Sequence, residues 1–372
     1  MLSTRIAIVG GGLSGLYAAF RLEQAGIGDY RLFEARDSFG GRILSASLPD
    51  APGTTLPEVD RFDLGPTWFW PDMQPQLDRL IHELGLPRFA QHEAGDMVVE
   101  RSRTEPPRRM RGYPTSPTSM RLVGGMDSLT DALRRRLDPA RLIAGQPVRR
   151  LRMSDQGVEV DAAGSSGQAP VCRAERVLLA VPPRLAEHTI AFEPSLPDSL
   201  TQHWRATATW MAPHAKYLAI YDTPFWRSEG LSGDARSMVG PLGEIHDASM
   251  PGGHAALFGF FGIPAHIRGS VSEDVLRSLC RAQLARLFGP RAEAPKADFV
   301  KDWASDSHTA IPADQDGESQ HAHAPPAAAA SGPWQGRLTG IASEWSPGFP
   351  GYVAGAIEAA SLGIQALLEA RI

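Results

Sequence analysis

The sequence predicts an α/β fold in which one parallel-sheet domain is interrupted by a discontinuous α+β domain. Three observations predict it. The chain opens as strand, glycine turn, helix and strand; β-rich runs at residues 148–160 and 176–181 return to that pattern after an excursion; and residues 204–297 read as aromatic-rich strands followed by one helix.

Residues 5–9 read as a strand with an apolar run at 6–9, residues 14–25 have helical character, and residues 30–34 are again strand-like, which is a βαβ unit with parallel strands. An amphipathic helix is expected at residues 75–84, where Leu77, Leu80, Ile81 and Leu84 recur at helical spacing. Another begins near Gly125, with Leu129, Ala132, Leu133 and Leu137 on one face. The run at 176–181 is stopped by Pro182 and Pro183, and the interrupting domain closes with a helix at 273–287. Residues 312–333, rich in Ala, Pro, His and Gly, read as a long loop, followed by a strand at 337–342 and a helix at 355–371. These elements assign residues 1–74, 120–200 and 335–372 to the nucleotide-binding domain, and 75–119 and 201–334 to a substrate-binding domain.

Composition narrows the function. With 372 residues the chain has room for about two domains. A balance of 37 basic to 42 acidic residues creates no field to attract nucleic acid or an anionic membrane. The arginines at 101, 103, 108, 109 and 111, and at 134–136, read as solvated surface. Cys172 and Cys280, the two cysteines, exclude a disulfide scaffold and suit a reducing compartment. No run approaches the ~20 apolar residues a membrane helix needs, so a cytoplasmic location is expected. His308, His321 and His323 lack carboxylate or thiolate company at ligand spacing, and no metal is expected.

Gly10-Gly11-Gly12-Leu13-Ser14-Gly15 satisfies the G-x-G-x-x-G pattern between a strand and a helix. Gly10 permits the tight turn, Gly12 the approach of a pyrophosphate, and Gly15 close packing of helix on strand, while the helix N-terminus offers N–H groups to phosphate. Glu34 ends the second strand, where a carboxylate can accept from ribose hydroxyls. The glycines alone would suit any tight turn; strand, helix and Glu34 together point to a Rossmann-type dinucleotide site. Immediately after comes Glu34-Ala35-Arg36-Asp37-Ser38-Phe39-Gly40-Gly41-Arg42, which adds two glycines and an arginine as a second phosphate clamp.

On these residues the sequence resembles the flavin-containing amine oxidase family, the monoamine and polyamine oxidase group. The likeness continues through Asp63-Leu64-Gly65-Pro66-Thr67-Trp68, Leu122-Val123-Gly124-Gly125-Met126, Val148, the run 176–183, Ala342-Ser343-Glu344 and Gly351-Tyr352-Val353-Ala354-Gly355. The resemblance implies a glutathione-reductase-like FAD-binding domain and non-covalent FAD. It implies pyrophosphate contact at Arg42, passage of the flavin ring along 63–68, adenine contact at Val148, and contact with the ribityl and phosphate portion around Glu344. Tyr352 would stand as an aromatic wall before the flavin, and Trp303 would pack beside it. Lys216 aligns with a lysine that reaches flavin N5 through a water. From the residues alone, Lys216 could equally be a structural lysine, and Tyr352 and Trp303 core aromatics. Trp68, Trp70, Phe260 and Tyr352 are candidates for the substrate pocket.

The implied activity is oxidation of a small amine by hydride transfer from its α-carbon to the flavin, followed by imine hydrolysis and reoxidation by O2 to H2O2. Two departures stand out. The usual Gly-Thr-Glu is Ala342-Ser343-Glu344, and the late loop at 309–313 holds neither a cysteine for covalent attachment nor a second wall tyrosine. A desaturase or an L-amino-acid oxidase of the same superfamily, and a flavin-binding protein without turnover, are the alternatives. Pro66-Thr67-Trp68-Phe69 offers no arginine for an α-carboxylate.

Overall fold

A computed structural model of the chain describes residues 2–48, 59–162, 171–315 and 324–370. It divides into two compact units, Met1–Arg42 with Leu129–Ala212 and Ser307–Ile372, and Ile43–Ser128 with Pro213–Asp306.

The first unit is built on an eight-stranded mixed sheet. Leu2–Val9 pairs in parallel with Tyr30–Phe33 on one side and Val171–Leu179 on the other, and Leu338–Gly340 also joins Val171–Leu179 in parallel. Ile6, Ala7, Ile8 and Val9 are all buried, as expected of a parallel strand covered on both faces, and this explains their continuous apolar run. The β-rich run at 148–160 is an antiparallel pair of strands, Val148–Ser154 and Gly157–Ala162. The opening helix Leu13–Gln24 lies against the closing helix Val353–Glu369. Trp204, Trp334 and Trp345 share the core of this unit with Leu151, Val160 and Leu179.

The second unit holds a seven-stranded sheet in which Ala215–Tyr221, one strand in from an edge, is buried at every position. Alternation divides that strand. Tyr217, Ala219 and Tyr221 join a core with Leu276, Cys280, Leu284 and Phe288 of the helix Glu273–Phe288. Leu218 and Ile220 face the other way, into a cluster with Phe62, Leu64 and Phe258, against which Trp68 and Phe260 pack.

The predicted boundaries differ from the observed ones for packing reasons. Residues 43–48 and 59–74 lie with the second unit because Leu48, Phe62 and Leu64 cover the 218/220 face of its sheet. Residues 120–128 do so because Met120–Leu122 pairs with Arg88–Ala90, and the buried Arg121 guanidinium donates to the carbonyls of Ala248 and Ser249. Conversely, Trp204 lies in the helix Asp198–Ala206 of the first unit, not in a strand of the second, and its indole donates to Pro326 O at 2.9 Å. Of the expected loop, residues 312–315 form a short helix, while His321 and His323 lie outside the described residues. The arginines of Arg108–Arg111 are exposed and both cysteines are buried. Among the described residues no helix is long and apolar enough to cross a membrane, and no group of three acidic, histidine or cysteine side chains could hold a metal.

Candidate active site

In the first unit, the glycine loop is shaped by contacts that admit no side chain. A Cβ on Gly15 would stand 2.0 Å from Gly10 O, and Gly10 itself has φ of 107°. Glu34 locks the loop: its Oε2 accepts the Gly11 N–H at 2.6 Å, and its Oε1 accepts the Arg36 N–H at 2.8 Å. The same edge is tied onward, since Gln146 N–H donates to Glu34 O, two residues before Val148. Ala35 lies between these anchors, and the Arg36 guanidinium donates to the Thr309 hydroxyl at 3.2 Å. Gly12 bridges to Gly40, and Gly41, with φ of 64°, would bring a Cβ to 3.1 Å from Gly12 Cα. The Gly40-Gly41 pair therefore sits directly on the first glycine loop, the reason that this second pair must be glycine. Leu13 and Ser14 form the first turn of the helix, which has no side-chain cap and no acidic residue in that turn, leaving its donors and partial positive charge for an anion.

Arg42 and Glu344, which the resemblance placed at different parts of the cofactor, meet each other. Arg42 donates to Glu344 Oε1 and Oε2 at 2.5 and 3.0 Å, to Ser343 Oγ at 3.1 Å and to Trp210 O at 3.0 Å. Burial by itself would raise the Glu344 carboxyl, but the Arg42 charge and its hydrogen bonds outweigh it and hold the group below the ordinary range. A depressed carboxylate contributes stability that is full above the ordinary glutamate range and is lost as pH falls through its folded value. Glu344→Gln should therefore lower stability by about 3 kcal/mol at neutral pH, with the deficit shrinking on acidification. Thermal midpoints from neutral to acidic pH check this; a deficit independent of pH would refute it. Ser343 O accepts from the N–H of Gly351, whose φ is 81°, and Tyr352 caps the closing helix ahead of Val353. Tyr352 is 38% exposed, and its ring lies 6.2 Å from that of Trp210 with 22° between the planes.

In the second unit, alternation along Ala215–Tyr221 puts Lys216 on the face of Leu218 and Ile220. It is fully buried. Its ammonium donates to Asp63 O at 3.0 Å, Gly65 O at 2.9 Å and Thr67 Oγ1 at 2.7 Å, and lies 4.0 Å from the centroid of Phe258 and 5.3 Å from that of Phe260. Three donors thus meet three acceptors around the segment containing Pro66, with two aromatic faces alongside. Burial lowers the Lys216 pKa well below the ordinary lysine range, Asp63 opposing and Arg121 reinforcing the shift. Burial likewise raises the Asp63 carboxyl against Lys216 and Arg121. Trp303 is buried beside this segment, donating to Leu64 O at 3.2 Å. Trp68 donates to Gln91 and packs edge-on against His246 at 4.9 Å, with Phe258 and Phe260 at 5.4 and 6.4 Å. Trp70 turns its indole N–H to Ser119.

Sequence reasoning did not single out Asp63, His246 or Trp210. Asp63 sat inside a quoted block, and its 2.7 Å bond from Met126 N–H joins two such blocks. His246, held between Asp234 and Glu244 at 2.8 and 2.6 Å, and Trp210 belong to no recognisable pattern.

Residues 110–363 match the family model described as flavin containing amine oxidoreductase, and residues 8–84 match that of the NAD(P)-binding Rossmann-like domain. The chain is 24% identical over 408 residues to the probable flavin-containing monoamine oxidase A of Dictyostelium discoideum, covering 82% of this chain and 84% of that protein. It is 30% identical over 207 residues to putrescine oxidase of Kocuria rosea, covering 51% of this chain and 41% of that one. A solved structure of wild-type putrescine oxidase bound to putrescine matches with a TM-score of 0.79 at 22% identity, covering 99% of each chain, a likeness of fold.

Proposed function

The chain belongs to the flavin-containing amine oxidoreductase family, and from that premise we propose that it oxidises a small amine with non-covalently held FAD and passes the electrons to O2. The residues of the first unit suit the cofactor. A loop in which Gly10, Gly11 and Gly15 have no room for a Cβ, the uncapped first turn at Leu13 and Ser14, and Glu34 with acceptor capacity remaining on both oxygens fit a dinucleotide. Arg42 and Glu344 fit the role of a preformed brace beside it, and Gly351 to Val353 that of a helix start facing the ring. Flavin supplies an acceptor for the hydride that leaves the amine α-carbon, after which water hydrolyses the imine and O2 is reduced to H2O2. The late loop offers no thiol for attachment, since the chain's two cysteines are Cys172 and Cys280, which supports releasable FAD.

The observation that carries amine over other C–H donors is the Lys216 centre. Its donors fix the Asp63, Gly65 and Thr67 backbone and hydroxyl, and its partial loss of basicity marks surroundings that disfavour a second positive charge. An amine brought into such surroundings loses its proton more readily, and it is the neutral amine that can release hydride. Trp303 and Trp68 supply flat apolar faces to the same centre.

An absorption spectrum of the purified protein, followed by anaerobic mixing with amines, amino acids and porphyrinogens, tests the reading. A yellow protein bleached by amines, and by neither of the other classes, is expected, with FAD appearing in the supernatant on denaturation. Bleaching by amino acids or porphyrinogens alone would reassign the donor. Reduction by dithionite but by no donor would leave a flavin-binding protein without turnover.

A further inference from the structure

Resting on amine oxidation as the activity, we propose that Asp63 is a positioning residue for that reaction. Its buried carboxylate is the counter-ion that keeps Lys216 an ammonium, and through Lys216 it keeps residues 63–67 on their folded path.

Lys216 needs such a partner. The three groups that accept from it, Asp63 O, Gly65 O and Thr67 Oγ1, are all uncharged, and the side chain is fully buried. An ammonium withdrawn from water is costly unless an opposite charge stands near it. Two charges act on Lys216: Asp63 favours the ammonium, and the equally buried Arg121 opposes it. Arg121 spends its hydrogen bonds on the carbonyls of Ala248 and Ser249, so the Asp63 carboxylate is left to balance Lys216.

The carboxylate is held for this task. Its Oδ1 accepts the Met126 N–H at 2.7 Å and the Ser45 hydroxyl at 3.1 Å, while the Ser45 N–H donates to Asp127. Gly125, with φ of 74°, is pressed on the same oxygen: a Cβ there would stand 2.9 Å from Asp63 Oδ1 and 2.8 Å from Ser45 Oγ. The Gly124-Gly125-Met126 step is thus the seat of Asp63. Oδ2 is buried and has no hydrogen-bond partner among the described residues. A buried carboxylate oxygen without a donor weakens the fold, and its use is its charge.

Charge and geometry are linked by a count of protons. An ammonium has three donors for its three acceptors; an amine has two, and one acceptor of residues 63–67 is then left unsatisfied. Without the Asp63 charge, burial and Arg121 would act on Lys216 unopposed and lower its pKa further. Of the charged groups facing Asp63, Lys216 and Arg121 favour its ionised form and Asp127 opposes it.

Asp63→Asn tests this, because asparagine keeps an oxygen for Met126 and Ser45 and alters only the charge and the atom that has no partner. Anaerobic flavin reduction by benzylamine is followed across the neutral and alkaline range, with FAD content and reduction by dithionite as controls. The ionisation that vanishes in Lys216→Met should move to lower pH by about one unit or more in Asp63→Asn, and to higher pH in Arg121→Gln, which removes the opposing charge. A loss of rate equal at every pH, with that ionisation unmoved, would overturn the assignment and leave Asp63 a structural residue. If Asp63→Asn retains no FAD, Arg121→Gln decides, and the absence of an upward move refutes the proposal. If no amine reduces the wild-type flavin, the activity itself is refuted, and denaturant titrations still read the charge of Lys216. A lower folded pKa with an unchanged unfolded one makes the rise of stability with pH begin earlier in Asp63→Asn than in the wild type. The same onset in both would refute the role of Asp63.

Discussion

Lys216→Met is expected to slow anaerobic flavin reduction by about 100-fold or more while leaving FAD bound. The retention of FAD follows because the proposed nucleotide cradle is made of other residues, from Gly10 to Arg42 and around Glu344. The loss follows because one ammonium orders three groups: Asp63 O, Gly65 O and Thr67 Oγ1 all lose their donor at once. A buried acceptor left unsatisfied costs about 1–3 kcal/mol, so the segment should loosen as well as lose its positive charge. Thr67→Val removes one acceptor and keeps the charge, and should show a much smaller effect. A pH signature separates the roles. The folded Lys216 pKa lies below the ordinary lysine value of 10.5, so between the two values the unfolded chain binds more protons, and stability rises with pH across that window. Asp63, raised from 3.8, gives a slope of the opposite sign on the acid side of it. Denaturant titrations across the alkaline window should show the rise in wild type and not in Lys216→Met. Unchanged reduction rates in the variant would end any role for Lys216 in the reaction.

Gly15→Ala is expected to yield protein depleted in FAD, with affinity weakened by about 10–100-fold. Its Cβ would stand 2.0 Å from Gly10 O and 3.2 Å from Gly10 C, so the helix Leu13–Gln24 must shift off the opening strand. Forced backbone shifts of this kind cost about 1–3 kcal/mol, and they fall here on the donors that the proposed site offers to the phosphates. Gly26→Ala is the control. Gly26 has φ of 74° with nothing within 4 Å of a new Cβ, so the substitution strains one residue by about 1 kcal/mol and should leave FAD content unchanged. Flavin-to-protein absorbance ratios and reconstitution titrations read both variants. Stoichiometric, wild-type-tight FAD in Gly15→Ala would contradict the cradle geometry.

Much of this molecule was readable before any coordinates. The βαβ opening, the glycine loop and the closing role of Glu34 were legible because their contacts connect neighbours in sequence: Gly11 to Glu34 spans 23 residues and one strand–helix–strand unit. The helices at 75–84 and 273–287 were legible from period alone, and the observed Pro75–Glu83 and Glu273–Phe288 differ by one residue at an end. Domain boundaries were less so. Residues 43–48 and 59–74 carry no mark of which sheet they will cover, because their affiliation rests on Leu48, Phe62 and Leu64 fitting the face of the distant strand Ala215–Tyr221.

The sequence by itself determined the Rossmann-type opening and the family, since each is written in short runs whose spacing obeys helix and strand geometry. Only the tertiary structure decided what those residues spend their bonds on. Arg42 meets Glu344 across 302 positions, Lys216 meets Asp63 O across 153, and the ring of Trp210 lies 6.2 Å from that of Tyr352. Such pairings follow from the path of the whole chain and the closure of its sheets, and no local pattern encodes them.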